Sequence, residues 1–243
     1  MKMKSAVLYL GILVVVALGI ATVVFSKRKQ QEAEREVPPA KNQVSWYAEK
    51  SKAKGRSKVS LAVPPIEYAG SSFETDTDAA LSYYSVVIAQ PVTETITVDE
   101  TGNSIVTWYK FKVIETLQEK SSPVCPGCIS TPPQDLLPVG SDEFLASKIG
   151  GQIVVDGVTV SMDDPAFPQM KMGHQYLLYI SRYPNGTADI GAGPNGVFTV
   201  DDEGKVEPIN NDPHPLKRDL QGRFRGSLLN LKSHIKNRQL RRP

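Results

Sequence analysis

Cysteine is scarce, with two in 243 residues, and that excludes a disulfide-dense secreted scaffold. Histidine is nearly as rare, with three residues scattered at 174, 214 and 234. No GxSxG, Walker or HExxH pattern occurs, nor EF-hand spacing, so no enzyme signature rises above background. Strand–helix alternation is missing, which argues against a nucleotide-binding α/β fold. There is no internal repeat. A second long apolar run is also missing, and that excludes a polytopic membrane protein. With 40% hydrophobic and 22% charged residues, the chain is not wholly disordered.

A formal net charge of +2 hides a blockwise pattern. Residues 1–26 carry +2, and residues 27–58 carry ten basic against four acidic side chains, or +6. Residues 59–212 carry seven basic against twenty-one acidic, or −14, and residues 213–243 carry nine against one, or +8. An acidic middle therefore lies between two basic flanks.

Ser5 to Ser26 is a run of 22 residues without a charge. About 20 apolar residues suffice to cross a bilayer, and a cleaved signal peptide has an apolar region of only about 7–15. The run is read as an uncleaved signal anchor, with the lipid bilayer as partner of residues 5–26. Lys2 and Lys4 precede it, and Lys27, Arg28, Lys29 and Arg35 come after it. Positive-inside counting slightly favours the second group on the cytoplasmic side. A short basic tail before a long apolar run is nevertheless the usual form of an anchor with its N-terminus inside. The expected address is a single-pass cell membrane protein with an extracytoplasmic C-terminal domain.

Residues 27–63 read as a basic flexible tether. Pro38-Pro39 stops any helix continuing from the membrane, and Lys50 to Ser60 is nearly devoid of apolar residues. The spacer reading is favoured. The sharper reading puts Lys27, Arg28, Lys29, Lys52, Lys54, Arg56 and Lys58 against anionic headgroups. Trp46-Tyr47 fits a membrane interface.

From residue 64 to residue 212 the signals are of strand type. Asp76 or Thr77 caps a short helix, and Tyr84–Val92 pairs with Ile105–Leu117 around the turn Asp99–Asn103. Tyr109, Phe111 and Val113 share one face, opposite Trp108, Lys110 and Lys112. Gln152–Val155 and Val158–Met162 flank a type I′ turn at Asp156-Gly157. Tyr176–Ser181 and Thr187–Ile190 flank a two-residue turn at Asn185-Gly186, and Gly196–Val200 pairs with Lys205–Ile209. The expectation is a mainly β domain, a small antiparallel barrel or a sandwich. Leu216, Leu220, Phe224, Leu228, Leu231 and Ile235 then predict one C-terminal amphipathic helix over residues 213–243. Its basic face gives it an electrostatic reason to dock on the acidic domain, a contact that salt should loosen.

Cys125-Pro126-Gly127-Cys128 is the one motif with chemical potential. A loop-closing disulfide is favoured, and a metal site or a redox centre stays open. Ile129 to Pro133 cannot continue as the helix a catalytic CxxC needs. A metal would have to recruit His174, His214, carboxylates or a second chain. Asp163-Asp164 and Asp201-Asp202-Glu203 are weaker calcium candidates, and Asn185-Gly186-Thr187 matches a glycosylation sequon.

Several segments in this order carry a resemblance: SVVIAQPV (Ser85–Val92), YKFKVIETL (Tyr109–Leu117), Gly150-Gly151, DDPAFPQMKMGHQYLLYI (Asp163–Ile180) and GPNGVFTVDDEGKVEPI (Gly193–Ile209). This resembles a loosely defined group of exported bacterial domains of unknown function. The shape is also similar to the OB-type barrel of netrin-module and metalloproteinase-inhibitor domains. The chain departs from the group pattern at Ala89-Gln90, where a Gly is common, and in its long Cys-bearing loop. The resemblance implies an OB-like antiparallel barrel and export, and it transfers no catalytic residue. The reading is a membrane-tethered β-barrel binding or scaffold module with no cofactor. Its expected partner is an envelope protein or an anionic polymer rather than nucleic acid. A thiol-redox or metal-dependent envelope enzyme centred on Cys125 and Cys128 is the alternative.

Overall fold

The computed structural model describes residues 40–63, 76–121 and 131–241. The apolar run 5–26, the cations Lys27, Arg28 and Lys29, and both cysteines, Cys125 and Cys128, lie outside the described residues. The protein is mainly β.

Its centre is the long hairpin expected from the sequence. Strands β2 (Ser85–Val98) and β3 (Ile105–Gln118) pair antiparallel. The Asp99 carboxylate closes the turn by accepting the Asn103 and Ser104 N–H groups at 2.8 and 3.0 Å. On the far side of β3 runs β4 (Glu143–Ile149), and on the far side of β2 runs β7 (Gln175–Arg182). Strands β9 (Val197–Val200) and β10 (Val206–Pro208) complete the order β10-β9-β7-β2-β3-β4. The three-residue β8 (Ala188–Ile190) pairs with the end of β7 beyond β9.

The sheet curls until its two sides meet, but it does not close. Leu145 of β4 forms one isolated parallel bridge with Thr187, just ahead of β8, and the Leu145 N–H donates to the Gly186 carbonyl at 2.9 Å. The expected closed barrel is therefore corrected to an open, curled sheet. Strand β8 is bounded by the turn Tyr183–Gly186 on one side and by Gly191 on the other, so it is too short to build a ladder along β4. The turn also differs from expectation. Gly186 N–H donates to the Tyr183 carbonyl and Tyr183 N–H to the Thr187 carbonyl, so Asn185-Gly186 is part of a longer connection.

Period-two alternation sorts the side chains onto the two faces. Val87, Ala89, Tyr109, Phe111, Phe144, Ala146, Tyr176, Leu178 and Ile180 fill the inside of the curl. Val86, Ile88, Leu177, Tyr179 and Phe198 face outward and are covered by helices. One is α2 (Thr77–Tyr83), where Asp76 Oδ1 accepts the Ala79 N–H at 2.8 Å as a cap.

The others are the C-terminal segments. The single predicted helix is two, α3 (Pro215–Gly222) and α4 (Leu228–Leu240). Arg225 and Gly226 take left-handed φ values of 54° and 62°, Gly226 N–H returns to the Leu220 carbonyl, and Ser227 caps α4. The apolar stripe survives the break, because Leu216, Leu220, Phe224, Leu228, Leu231 and Ile235 are all buried in the outer cluster.

The tether expectation fails for residues 43–62. Helix α1 (Gln43–Ala53) and strand β1 (Lys58–Ala62) pack onto β5 (Gly151–Val155) and β6 (Val158–Asp163) as a three-stranded sheet with β1 parallel to β6. Val44 and Ala48, one helical turn apart, and Leu61 are buried with Ile105, Val158, Val160 and Met162. A few well-spaced apolar side chains anchor a segment that composition alone reads as a spacer. The β5–β6 turn has the positive φ values at Asp156 and Gly157 that type I′ requires. Among the described residues, no helix is long and apolar enough to cross a membrane.

Candidate functional site

His174 stands exposed in the turn after Met172, its N–H donating to the Lys171 carbonyl. Among the described residues, no group of three or more His, Cys, Asp or Glu side chains is placed to hold a metal ion. Asp201 Oδ1 accepts the Glu203 and Lys205 N–H groups, and Asp164 Oδ1 accepts that of Ala166, so two of the calcium candidates act as turn acceptors. Asn185 Oδ1 takes the Thr187 N–H and hydroxyl. Lys52, Lys54, Arg56 and Lys58 are all exposed, running from the last turn of α1 into β1. The cations of the last turn also suit the helix C-terminus electrostatically. Trp46 and Tyr47 are half-buried and meet edge to face at 4.8 Å, with Tyr47 packed against the small-sheet cluster.

Buried polar atoms without partners are uncommon in folded proteins. They occur here at Thr77, Tyr179, Arg182, Asn195 and His214. Arg182 is set apart because two nitrogens on one edge of its guanidinium, Nε and Nη2, are buried without an acceptor. That edge is a planar fork of donors.

Arg182 owes its place to strand parity. Tyr176, Leu178 and Ile180 point into the curl, and Arg182 continues that face at the end of β7. Its guanidinium carbon lies 5.3 Å from the centre of the Phe144 ring, which is buried in the same cluster. The cation thus caps one mouth of the curl. Over it opens a cleft of about 380 Å³ lined by Val139, Gly140, Glu143, Phe144, Tyr183 and Thr187 among others. The cleft sits where the sheet fails to close.

Of the other polar groups around this cleft, Glu143, Tyr183 and Thr187 are already engaged, and the Ser141 hydroxyl is a neutral group at its rim. Glu143 Oε2 accepts the Gly140 N–H at 2.8 Å and lies 3.8 Å from Lys110 Nζ. Tyr183 donates its hydroxyl to Asp189 at 2.5 Å, and the Asn185 carbonyl oxygen serves Thr187. Burial, the Tyr183–Asp189 hydrogen bond and the carboxylate charge together push the Tyr183 phenol well above its ordinary range, so it stays neutral. Among the described residues lining the cleft, the charged group buried without a partner is the Arg182 fork.

The opposite mouth is built differently. Lys148 continues the inward face of β4 after Phe144 and Ala146, and it is buried. Its ammonium donates to the Phe167 carbonyl at 2.7 Å. Burial lowers its pKa from the ordinary lysine value, against the opposing pull of Asp164 and Asp163. The loop that closes this mouth is pinned by two phenols. Met170 N–H donates to Tyr109 at 3.2 Å and Lys171 N–H to Tyr176 at 2.7 Å, and burial pushes the Tyr109 phenol up to about 12. This mouth is a plug.

A wider depression of about 610 Å³ lies between α1, β1 and the Asp99–Ser104 turn. Its wall ends at Val63, where the described residues stop, and its Asp99 and Asn103 side chains are hydrogen-bonded. A third hollow, about 150 Å³, is lined by His214, Lys217 and Arg218. There Lys217 binds Asn210 Oδ1 and the Asp212 carbonyl. The Arg182 cleft is the best candidate of the three. Its only trace in the sequence is a cation ending the alternating run Tyr176, Leu178, Ile180, Arg182. Comparison with known protein families and with curated proteins finds no match to the chain.

Proposed function

We propose that the chain is a membrane-tethered, extracytoplasmic binding module without catalysis of its own, and that its ligand enters the Arg182 mouth of the curled sheet. The observation that carries the binding reading is the buried guanidinium edge of Arg182, which has no acceptor beside the 380 Å³ cleft. Leaving such donors unserved costs about 1–3 kcal/mol or more for a charged group. Natural proteins retain that kind of cost at sites where a ligand relieves it.

Strand order supports an OB-like relationship. Taken as the first to fifth strands, β2, β3, β4, β7 and β8 run in the ring order first-second-third-fifth-fourth, with the third and fifth parallel at Leu145 and Thr187. The membrane anchor is the apolar run of residues 5–26. Lys27, Arg28 and Lys29, with Lys52, Lys54, Arg56 and Lys58, serve anionic headgroups or an anionic envelope polymer at about 1 kcal/mol per cation near the surface.

The experiment is a fragment survey on the full chain in lipid nanodiscs, with cationic, neutral and anionic fragments, read from the backbone amides of Tyr183, Gly186 and Thr187. Saturable shifts from at least one fragment class support the site. If every class leaves all three amides unmoved, the site is wrong.

A further inference from the structure

The same cleft specifies its ligand's chemistry, an inference that rests on reading the Arg182 mouth as a binding site. We propose that this mouth takes a carboxylate, held side-on by Nε and Nη2 of Arg182 with its apolar stem against the cleft wall at Val139.

Charge comes first. Arg182 is the cation of the cleft, and the one acid lining it, Glu143, already serves the Gly140 N–H and faces Lys110. The ligand therefore has to bring the negative charge. Geometry comes second. Two donors on one planar edge match two coplanar oxygens, the arrangement of a carboxylate with a guanidinium. A lone hydroxyl or carbonyl oxygen would have to serve both nitrogens at once and would bring no charge to match the cation. Environment comes third. One face of the guanidinium is taken by Phe144, which removes water and strengthens a charge-assisted hydrogen bond made in the same plane.

Neither nitrogen reaches solvent. Entry therefore requires the Gly140-Ser141 corner and the Tyr183–Gly186 turn to part slightly. A Cβ on Gly186 would lie only 3.1 Å from the Val139 side chain, so these two segments already touch. Among the described residues, the single Leu145–Thr187 bridge joins the strands beneath them, so little hydrogen bonding opposes the movement. A sealed barrel would not open there.

The test is a titration of the full chain, monitored through the Arg182 Nε–H signal in a 15N-edited spectrum. The probes are glutarate, N-acetylglutamate and glucuronate, each against its neutral amide. The acidic amino acid and the acidic sugar distinguish a peptide-like source of the carboxylate from a glycan-like one. A saturable shift with at least one carboxylate, absent with its amide, is expected. Arg182→Lys keeps the charge and removes the fork, and should weaken that affinity at least about tenfold. Should Arg182→Lys fail to fold, the wild-type carboxylate-against-amide comparison decides the matter alone. Equal shifts from amides and carboxylates would overturn the carboxylate inference and leave the binding site standing. No shift from any probe would overturn the inference, and the fragment survey then decides the site itself.

Discussion

The Asp78 carboxylate accepts Arg223 Nη1 at 2.7 Å, joining the first turn of α2 to the break between α3 and α4, 145 residues further along. His234 Nε2 lies 2.8 Å from the other carboxylate oxygen and Arg238 Nη1 lies 3.3 Å from it. One acid thus gathers three basic groups of the C-terminal segment beside the outer core. Burial raises the Asp78 pKa, but Arg223 and His234 outweigh it and hold the carboxyl below its ordinary 3.8.

Asp78→Asn should loosen this latch without undoing the docking. Its carboxylate is 43% exposed, and exposed pairs contribute about 0.2–1 kcal/mol each. Leu231→Ala, in the apolar stripe, should cost about 2–5 kcal/mol. Denaturant melts of the two variants check the order. Because Asp78 is depressed in the folded state, its contribution is present above pH 3.8 and fades as pH falls through the lower folded value. Salt should therefore weaken the C-terminal docking only slightly, a smaller effect than charge asymmetry alone implies.

His214 should make the fold acid-sensitive. Its Nδ1 accepts the Leu216 N–H at 3.2 Å to cap α3, which requires an unprotonated nitrogen. Burial, then Lys217 and Arg218, lower its pKa from the ordinary 6.5. The unfolded chain thus binds the proton more readily, so stability rises with pH up to about 6.5 and levels off above it. His214→Asn keeps a capping oxygen and should flatten this slope in melts taken between about pH 5 and pH 7.

Gly196→Ala should be among the most damaging single-atom changes. A Cβ there would fall inside the Gly191 carbonyl oxygen, and one on Gly191 would lie 2.5 Å from the Tyr84 ring. Overpacking of this kind costs about 1–3 kcal/mol or more. A fall in Tm of several degrees would check it, with Gly222→Ala, which meets nothing within 4 Å and should not lower Tm, as the control.

Membrane topology makes a separate prediction. A C-terminal alkaline phosphatase fusion should be active and a C-terminal cytosolic fluorescent fusion dark, because residues 5–26 are read as an anchor that exports the folded domain. The reverse pattern would place the folded part in the cytoplasm.

Much of the fold was legible because its signals are local. The β2–β3 hairpin is written in the alternation at Tyr109 and Phe111, and the β5–β6 turn in Asp156-Gly157. The Asp76 cap and the C-terminal apolar stripe were equally plain. The elements that were missed depend on distant contacts. Strand β4 carries Phe144, Ala146 and a buried Lys148 on its inward face, and the lysine hides the pattern until Phe167 supplies its carbonyl. Helix α1 and β1 sit in a basic, polar stretch whose few apolar residues matter only once the small sheet exists. The break at Arg225-Gly226 is a backbone conformation that a side-chain period of 3.6 cannot reveal. Arg182 was overlooked because a strand-ending arginine ordinarily reads as a solvated edge. Its meaning came from the unclosed seam at Leu145 and Thr187.

Calorimetric titration of the full chain with N-acetylglutamate and with glutarate, in parallel with an Arg182→Met variant, decides whether the Arg182 fork holds a carboxylate. Methionine keeps an apolar stem over Phe144 and removes the donor fork. Saturable binding of at least one carboxylate by the wild type, weakened at least about tenfold in the variant, is the predicted result. Equal affinity in both proteins, or no binding in either, would contradict the account.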